Sequence, residues 1–233
     1  MQTEYHRVYE LLLEQIRSGE YPENSKLPTE RELCDQYQVS RITIRQALQK
    51  LEDKKLIKRQ QGRGTFVNTK HIDQKLSTLY SFSEELRKQN ITPGTRMLFM
   101  LSISAQGNLQ KTLGVPAGTP LYSICRLRLA DETPYAYETS YIPMVYLMDA
   151  TPEEITKNGL YNTVKRCSGI TIEKATEIFE AILAPQHIVE TLGRKGVLSA
   201  MQIFRTAYYH NTPIEYCESI VCGDKFRFHV TLT

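Results

Sequence analysis

The feature that most constrains the fold is a closely spaced pair of helical patterns near the N-terminus, because few small folds contain such a pair. Thr29 and Glu32 have the spacing of a capping box and predict a short helix that runs to about Gln36. Ser40 is a favourable N-cap for a second helix, which follows after only a few residues. The sequence therefore predicts two helices joined by a tight turn.

Flanking patterns complete a small domain around this pair. Apolar residues recur at helical spacing over residues 5–16, which predicts an amphipathic helix before the pair. After the pair, residues 56–60 and 65–67 have the composition of two short strands around a turn with two glycines. Three helices and this hairpin predict a winged helix-turn-helix over residues 1–67.

The second helix of the pair has one apolar side and one polar side. The apolar stripe consists of Ile44, Ala47, Leu48 and Leu51, and the opposite face of Ile42, Arg45, Gln46 and Gln49, with Arg41 at its flank. The major groove of B-DNA admits one α-helix, and an arginine can donate two parallel hydrogen bonds to guanine. Arg41 and Arg45 are therefore candidate base readers.

Charge is segregated along this part of the chain. Residues 40–63 have a net charge of +6, whereas residues 1–39 have a net charge of −4. This indicates an anionic partner for the second segment, although a solvated surface would show the same bias. A protein-interaction module would also fit three small helices and a hairpin, but a basic wing beside a basic helix favours double-stranded DNA.

The same residues resemble the DNA-binding domain of the GntR family of bacterial regulators. PTERELC, VSRITIRQAL and GRGTFV occur within residues 26–67 in the order and spacing of that family. The positions that the resemblance assigns to DNA contact are Arg31, Arg41, Arg45 and Gly62, with Ser40 and Thr43 as phosphate contacts. Arg63 lies at the tip of the wing turn and is a further candidate for DNA contact.

The rest of the chain predicts a second domain with a different architecture. Residues 68–78 are polar and aperiodic, which predicts a linker or an extended strand before a domain over residues 79–233. Strands are predicted at 96–104, 121–130, 135–142, 200–209, 214–221 and 226–232, and helices at 83–89, 160–167 and 186–192. Turn signals between neighbouring strands predict an antiparallel sheet with helices to one side, an α+β domain.

Two of these hairpins resemble each other. Arg126 precedes Pro134 by eight residues, and Arg205 precedes Pro213 by the same interval, with a predicted strand pair around each Thr-Pro turn. Either the sheet is pseudo-symmetric or two ordinary hairpins are similar by chance.

Arg126 and Arg128 are the most informative residues of the second domain. Residues two apart on a strand share a face, so both guanidinium groups project together. Phosphate would satisfy two adjacent like charges, because the planar guanidinium group binds oxyanions through two hydrogen bonds. Solvent exposure, or salt bridges to carboxylates such as Glu138 and Glu215, would satisfy them as well.

This domain resembles the UTRA effector domain of the HutC-type branch of GntR regulators, which has the fold of chorismate lyase. LYSFSEEL, TPGTR, LGVPAGTPLYSICRLRLAD, ETSYIP and ESIVCGDKFRF carry the resemblance, which points to regulators that respond to phosphorylated sugars. The positions it assigns are Arg126, Arg128 and Tyr161 for the phosphate, Glu138 and Glu215 for the sugar, and Phe82 and Ser83 for the pocket lining. Two positions depart from the pattern: Gly159 replaces a serine, and Val221 replaces an aromatic residue.

Together these features predict a ligand-responsive repressor rather than an enzyme. One reading helix per chain contacts few base pairs, so a homodimer on a two-fold symmetric operator is expected. A lyase-like enzyme, a second domain that only dimerises, and a non-sugar acidic effector are the alternatives, and fold alone does not decide function.

Neither a membrane nor a metal is expected as a partner. The chain has no apolar run of 18 residues and no signal peptide at its N-terminus, which predicts a cytoplasmic protein. Its five cysteines and five histidines lack the spacing of metal sites, so no metal and no cofactor are predicted.

Overall fold

The computed structural model describes residues 3–68, 72–76 and 82–231, with the side chains of Arg17 and Lys75 left out. The chain divides into two compact units, Met1–His71 and Ile72–Thr233. None of the helices in these described ranges is both long and apolar enough to cross a membrane.

The first unit is a winged helix-turn-helix, as predicted. Its elements are α1 (Glu4–Ser18), α2 (Glu30–Tyr37), α3 (Arg41–Asp53), β1 (Ile57–Gln60) and β2 (Gly64–Val67), and the two strands pair antiparallel. Gly19 ends α1 in the left-handed conformation with φ 80°. The capping box of α2 is formed, since the Thr29 amide donates to Glu32 at 2.7 Å and the Glu32 amide donates to the Thr29 hydroxyl at 3.3 Å.

One apolar core holds this unit together. The predicted stripe of α3 is buried and packs against α1, whose Val8 and Leu12 are fully buried. Ile57 and Val67 extend the same core beneath the hairpin. Because α3 buries this side completely, its opposite side is left outside the core.

The second unit is an α+β unit built on a six-stranded sheet. Its elements are β3 (Ile72–Lys75), α4 (Phe82–Lys88), β4 (Pro93–Ser104), α5 (Gly107–Leu113), β5 (Pro120–Ala130), β6 (Thr133–Pro143), a 3-10 turn (Met144–Leu147), α6 (Pro152–Asn158), α7 (Leu160–Ser168), β7 (Lys174–Leu183), α8 (Gln186–Thr191), β8 (Ser199–Tyr209), β9 (Thr212–Cys222) and β10 (Phe226–His229). The antiparallel order is β4-β5-β6-β9-β8-β7, and β3 and β10 form a separate parallel pair.

The large sheet consists of two similar halves. β4, β5 and β6 form one three-stranded meander and β7, β8 and β9 form another, joined along β6 and β9. Arg126 lies on the middle strand of the first meander and Arg205 on that of the second. Each hairpin shifts register shortly after its arginine, at Arg128 in one and at Ala207 in the other. The similarity of the two hairpins in sequence therefore corresponds to a repeated structure.

The expectation that helices lie to one side of the sheet is wrong. Ile124 packs against α6 and α7, whereas Leu127 packs against α8. These residues are three apart on β5 and therefore point to opposite faces. Both faces of the central strands carry buried residues, so both are covered.

Several elements differ from the sequence-based expectations. Within the segment 68–78, predicted as a linker or an extended strand, residues 72–75 form β3, which pairs with β10 and belongs to the second unit. Residues 69–71 and 77–81 lie outside the described residues. The sequence interpretation also missed α5, α6 and β7. For α6 a signal existed, because Thr151 caps it through the Glu154 amide at 3.2 Å and Pro152 opens it.

Candidate nucleic-acid interface and ligand site

The outward face of α3 is the candidate nucleic-acid interface. Arg41, Arg45, Gln46 and Gln49 are exposed there, and Ile42 is 71% exposed. The fully buried stripe on the other side fixes the orientation of the helix, so these side chains are presented to solvent together. The structure thus places both predicted base readers on one accessible surface.

Arg45 contacts an acidic residue at the start of α2. Its Nε donates to Glu30 Oε2 at 2.9 Å, while the Arg45 side chain stays 65% exposed. Arg59 from β1 reaches the Arg45 carbonyl at 3.5 Å and also pairs with Glu52 at 3.4 Å. Exposed ion pairs contribute only about 0–1 kcal/mol, so this contact orients Arg45 without preventing its exchange for a base or a phosphate.

The predicted phosphate contacts lie at the start of α3. The Thr43 amide donates to Ser40 Oγ at 3.2 Å, and the two hydroxyl oxygens are 2.9 Å apart. Arg31 is exposed in the first turn of α2. Hydroxyl groups and backbone amides at a helix N-terminus suit a phosphate oxygen.

The wing turn presents a basic tip. Gly62 has φ 74°, a conformation that favours glycine, and the next residue, Arg63, is exposed. The Arg63 guanidinium carbon lies 6.0 Å from the centre of the Phe66 ring. The glycine therefore permits the tight turn that places an arginine at its end.

A buried charge cluster of Arg126, Arg128 and Glu138 lies on one face of the second unit's sheet. Arg126 is 2% exposed and Glu138 is 7% exposed, and they lie opposite each other on β5 and β6. Arg126 Nη2 donates to Glu138 Oε1 and to Ser140 Oγ, the latter at 2.8 Å. The salt bridge that the sequence left as an alternative is therefore formed for Arg126.

Arg128 makes weaker contacts with the same carboxylate. Its Nη2 donates to Ser83 Oγ at 2.9 Å, and its Nη1 lies 3.9 Å from Glu138 Oε1. The Nε atoms of Arg126 and Arg128 are buried and have no hydrogen-bond partner among the described residues. Two guanidinium groups thus face one carboxylate, which leaves an excess positive charge and unused donors.

The neighbouring charges also determine protonation within this cluster. Burial alone would raise the pKa of Glu138, but the positive charges of Arg126, Arg128 and Arg205 outweigh it and lower that pKa below its ordinary value. Burial alone would lower the pKa of Arg128, but Glu138 raises it above its ordinary value. Glu138 and Arg128 are therefore both ionised at neutral pH.

A second polar group lies on the same sheet face. The Tyr161 hydroxyl donates to Glu215 Oε2, and Glu215 is 2% exposed. Arg205 pairs with Glu177 at 3.0 Å, and its guanidinium carbon lies 5.9 Å from the centre of the Tyr161 ring. Burial and the nearby Glu215 raise the pKa of Tyr161 well above its ordinary value, so the phenol keeps its proton.

Strand β9 connects the two groups. Ser219 lies opposite Glu138 on β6 and donates to its Oε2 at 3.5 Å, while Cys217 lies opposite Arg205 on β8. Ser219 and Cys217 are two residues apart and share a face. The charge cluster has two guanidinium groups, those of Arg126 and Arg128, and one carboxylate, so its formal charge is positive. The group around Glu215 has two carboxylates, those of Glu177 and Glu215, and one guanidinium group, so its formal charge is negative. The shared face is therefore positive at one end and negative at the other.

The remaining predicted residues are placed as follows. Ser83 belongs directly to the cluster, and Phe82 lies beside it with its ring 6.3 Å from Tyr135 and 5.7 Å from Phe226. Val221 is fully buried in that aromatic cluster. The Gly159 amide donates to the Ile155 carbonyl at 3.0 Å and is therefore already used at the end of α6.

Sequence interpretation missed five polar residues of this face: Ser140, Glu177, Arg205, Cys217 and Ser219. Alternation along a strand could identify Ser140 and Ser219, because residues two apart share a face. Ser140 lies two residues from Glu138, and Ser219 lies two residues from Cys217. Arg205 was identifiable from the hairpin repeat. What the sequence lacks is the register that brings β6 next to β9.

Comparisons with known proteins agree with this geometry. Residues 4–67 match the family described as "Bacterial regulatory proteins, gntR family", and residues 88–227 match the UTRA domain. The HTH-type transcriptional repressor NagR of Bacillus subtilis is 34% identical over 96% of this chain and 92% of its own length. The mannosyl-D-glycerate transport/metabolism system repressor MngR of Escherichia coli is 27% identical over 96% of this chain and 93% of its own length.

A solved structure gives the same result for the fold. The crystal structure of PhnF from Mycobacterium smegmatis is similar with a TM-score of 0.67 and 24% identity, and the match covers 97% of this chain and 99% of that one. NagR and MngR are transcriptional repressors, and the matched gntR family consists of bacterial regulatory proteins, which confirms the prediction of a regulator rather than an enzyme.

Proposed function

The chain belongs to the GntR family of bacterial regulatory proteins, carries a UTRA domain and is a DNA-binding transcriptional repressor, and from this premise we propose that a phosphorylated sugar bound in the second unit releases it from its operator. The sugar phosphate occupies the sheet face between the buried charge cluster and the group around Glu215. The repressor acts in the cytoplasm, where its DNA is.

The observation that carries this proposal is the unbalanced charge of the cluster. Arg126 and Arg128 share one carboxylate, and the Nε of each is buried without a partner among the described residues. Leaving such donors unsatisfied costs stability, and a phosphate group supplies the missing acceptors and negative charge. Glu215, at the negative end of the same face, accepts hydrogen bonds from sugar hydroxyl groups.

The relatives support a carbohydrate-derived ligand. MngR is named for mannosyl-D-glycerate, and a probable fructoselysine utilization operon transcriptional repressor of Escherichia coli is 34% identical over 60% of this chain and 57% of its own length. A guanidinium pair also binds carboxylates, so a sugar acid is the second candidate.

Thermal stabilisation tests the ligand class, because a ligand of the folded state raises stability by mass action. The panel contains sugar phosphates, sugar acids and the parent sugars. One sugar phosphate should stabilise the wild type while its parent sugar does not, and Arg128→Gln should lose this response. Arg87→Gln is the matched control, because Arg87 is exposed on α4, the helix that carries Ser83. Stabilisation by a parent sugar in wild type and Arg128→Gln alike would contradict the proposal.

The operator side of the proposal requires two copies of the chain. A single α3 reads a few base pairs, whereas two copies related by a two-fold axis read a palindromic site with half-sites about one helical turn apart. The edge strands β4 and β7 carry exposed apolar residues, Leu101 at 54% and Ile178 at 62%, which are available for a contact between copies. Sedimentation with and without DNA gives the copy number, and a monomer bound tightly to one half-site would contradict this part.

A further inference from the structure

The outward face of α3 includes one large apolar side chain among polar ones. Ile42 is 71% exposed, and within residues 3–68 the other large apolar side chain that is exposed is Leu11, at 37%. At 100° per residue, Ile42 lies about 170° from the mean direction of the four core residues of α3. Ile42 therefore points directly away from the core at the start of α3, as Asp53 does at its end.

Ile42 contributes little to the stability of the first unit in this position. Its side chain lies outside the core cluster, which includes Ile44, the other isoleucine of α3. β-branched residues are poorer helix formers than leucine, arginine or lysine, so an exposed isoleucine weakens the helix slightly. Packing and helix propensity therefore leave this residue unexplained, and contact with a partner explains it.

The neighbours of Ile42 identify the chemistry of that partner. Ile42 is the second residue of α3, between the candidate base readers Arg41 and Arg45. The N-terminal residues of a recognition helix are the ones that reach base edges in the major groove. The apolar group that the major groove presents is the C5-methyl group of thymine.

We infer that Ile42 reads the methyl group of one thymine in each half-site, an inference that rests on the DNA-binding role of the first unit. Arg41 and Arg45 supply hydrogen bonds to bases, and Ile42 selects a thymine at one position by apolar contact. Gln49, on the same face of α3, is less available for base contact, since its Nε2 already donates to Asp53 at 2.9 Å. Ile42 thus contributes to the choice of operator sequence rather than to general affinity for DNA.

Deoxyuridine provides the test, because it differs from thymidine only by the C5-methyl group. A duplex is first selected in vitro with the wild-type chain, and each thymine is then replaced singly by deoxyuridine. Fluorescence anisotropy should show about a four-fold weaker affinity for replacement at one position in each half-site, which corresponds to about 0.8 kcal/mol for one buried methyl group. Ile42→Ala should bind the thymine duplex more weakly and should be insensitive to deoxyuridine at that position.

Val197→Ala is the matched control, since Val197 is 82% exposed in the second unit and lies outside the reading helix. It should keep the wild-type response to deoxyuridine. A wild type that tolerates deoxyuridine at every thymine, or an Ile42→Ala variant that keeps the four-fold loss, would overturn the inference. Failure of the wild type to select any duplex is a different result, because it would refute DNA binding by the first unit itself.

Discussion

Glu138 shows how much a single buried charge contributes to stability. It is the carboxylate that balances Arg126, and both side chains are buried. Removing one partner of a buried ion pair leaves an uncompensated charge, which costs about 3–5 kcal/mol. We therefore expect Glu138→Gln to lower the free energy of unfolding by about this amount, measured by urea denaturation near pH 7. Thr139→Ala on the same strand is a control with an expected loss well below that range.

The pH dependence of this difference has a defined sign. The folded-state pKa of Glu138 is lowered below 4.5, so its stabilising contribution is fully present above about pH 4.5 and is lost as the pH falls through the folded-state pKa. The gap in unfolding free energy between wild type and Glu138→Gln should close in acid. A gap that stays constant from pH 7 to well below pH 4 would show that Glu138 acts by packing instead of charge.

For Arg45, the relative strengths of its ion pair and of a base contact decide the expected effect of a substitution. Its ion pair with Glu30 is exposed and weak, whereas a bidentate contact to guanine contributes about 1–3 kcal/mol of discrimination. Arg45→Ala should therefore lose about 5–150-fold in affinity for the selected duplex while thermal stability changes little. Anisotropy titrations on the selected and a scrambled duplex measure both effects. Equal weakening on both would assign Arg45 to a phosphate contact.

Among the elements, α2 offers a clear comparison of helix caps. Thr29 makes a reciprocal capping box with Glu32, whereas Thr3, at the N-cap of α1, makes no side-chain cap hydrogen bond in the described part of the chain. Thr29→Ala should lower the unfolding free energy by about 1 kcal/mol, and Thr3→Ala by much less. Denaturant unfolding of both variants tests this difference. Equal losses would mean that threonine acts at these positions through something other than capping.

Individual helices and strands differ in how well the sequence predicts them. α3 was predicted correctly because Ser40 caps it and its apolar stripe is continuous. Strand β7 was missed because its charged residues, Lys174, Glu177 and Glu180, recur at every third position instead of alternating with apolar residues as in an edge strand. The faces covered by helices were also missed, because they depend on how β6 and β9 pair across a long stretch of sequence. Local signals predict single elements, while long-range register determines their packing.

The proposed ligand site shows the same division between local signals and long-range register at the scale of the whole molecule. The sequence predicted Arg126 and Arg128 on one face, and the structure places Ser83 and Glu138 against them. It could not predict that the Gly159 amide is used by α6, since that depends on the backbone path between two helices. Ser219 likewise reaches Glu138 only through the β6–β9 register.

Regulation by a sugar phosphate would involve the whole molecule, and thermodynamic linkage gives a quantitative expectation for it. If the effector lowers operator affinity by some factor, bound operator must lower effector affinity by the same factor, typically 5–150-fold. Calorimetric titration of the effector identified by thermal stabilisation, with and without the selected duplex, gives one factor. Anisotropy titration of the duplex, with and without the effector, gives the other. The two factors should agree within error, and both should vanish in Arg128→Gln. An effector that binds equally well to free and DNA-bound protein would separate ligand binding from release and would contradict derepression by that ligand, because a ligand shifts an equilibrium only through its differential affinity for the two states.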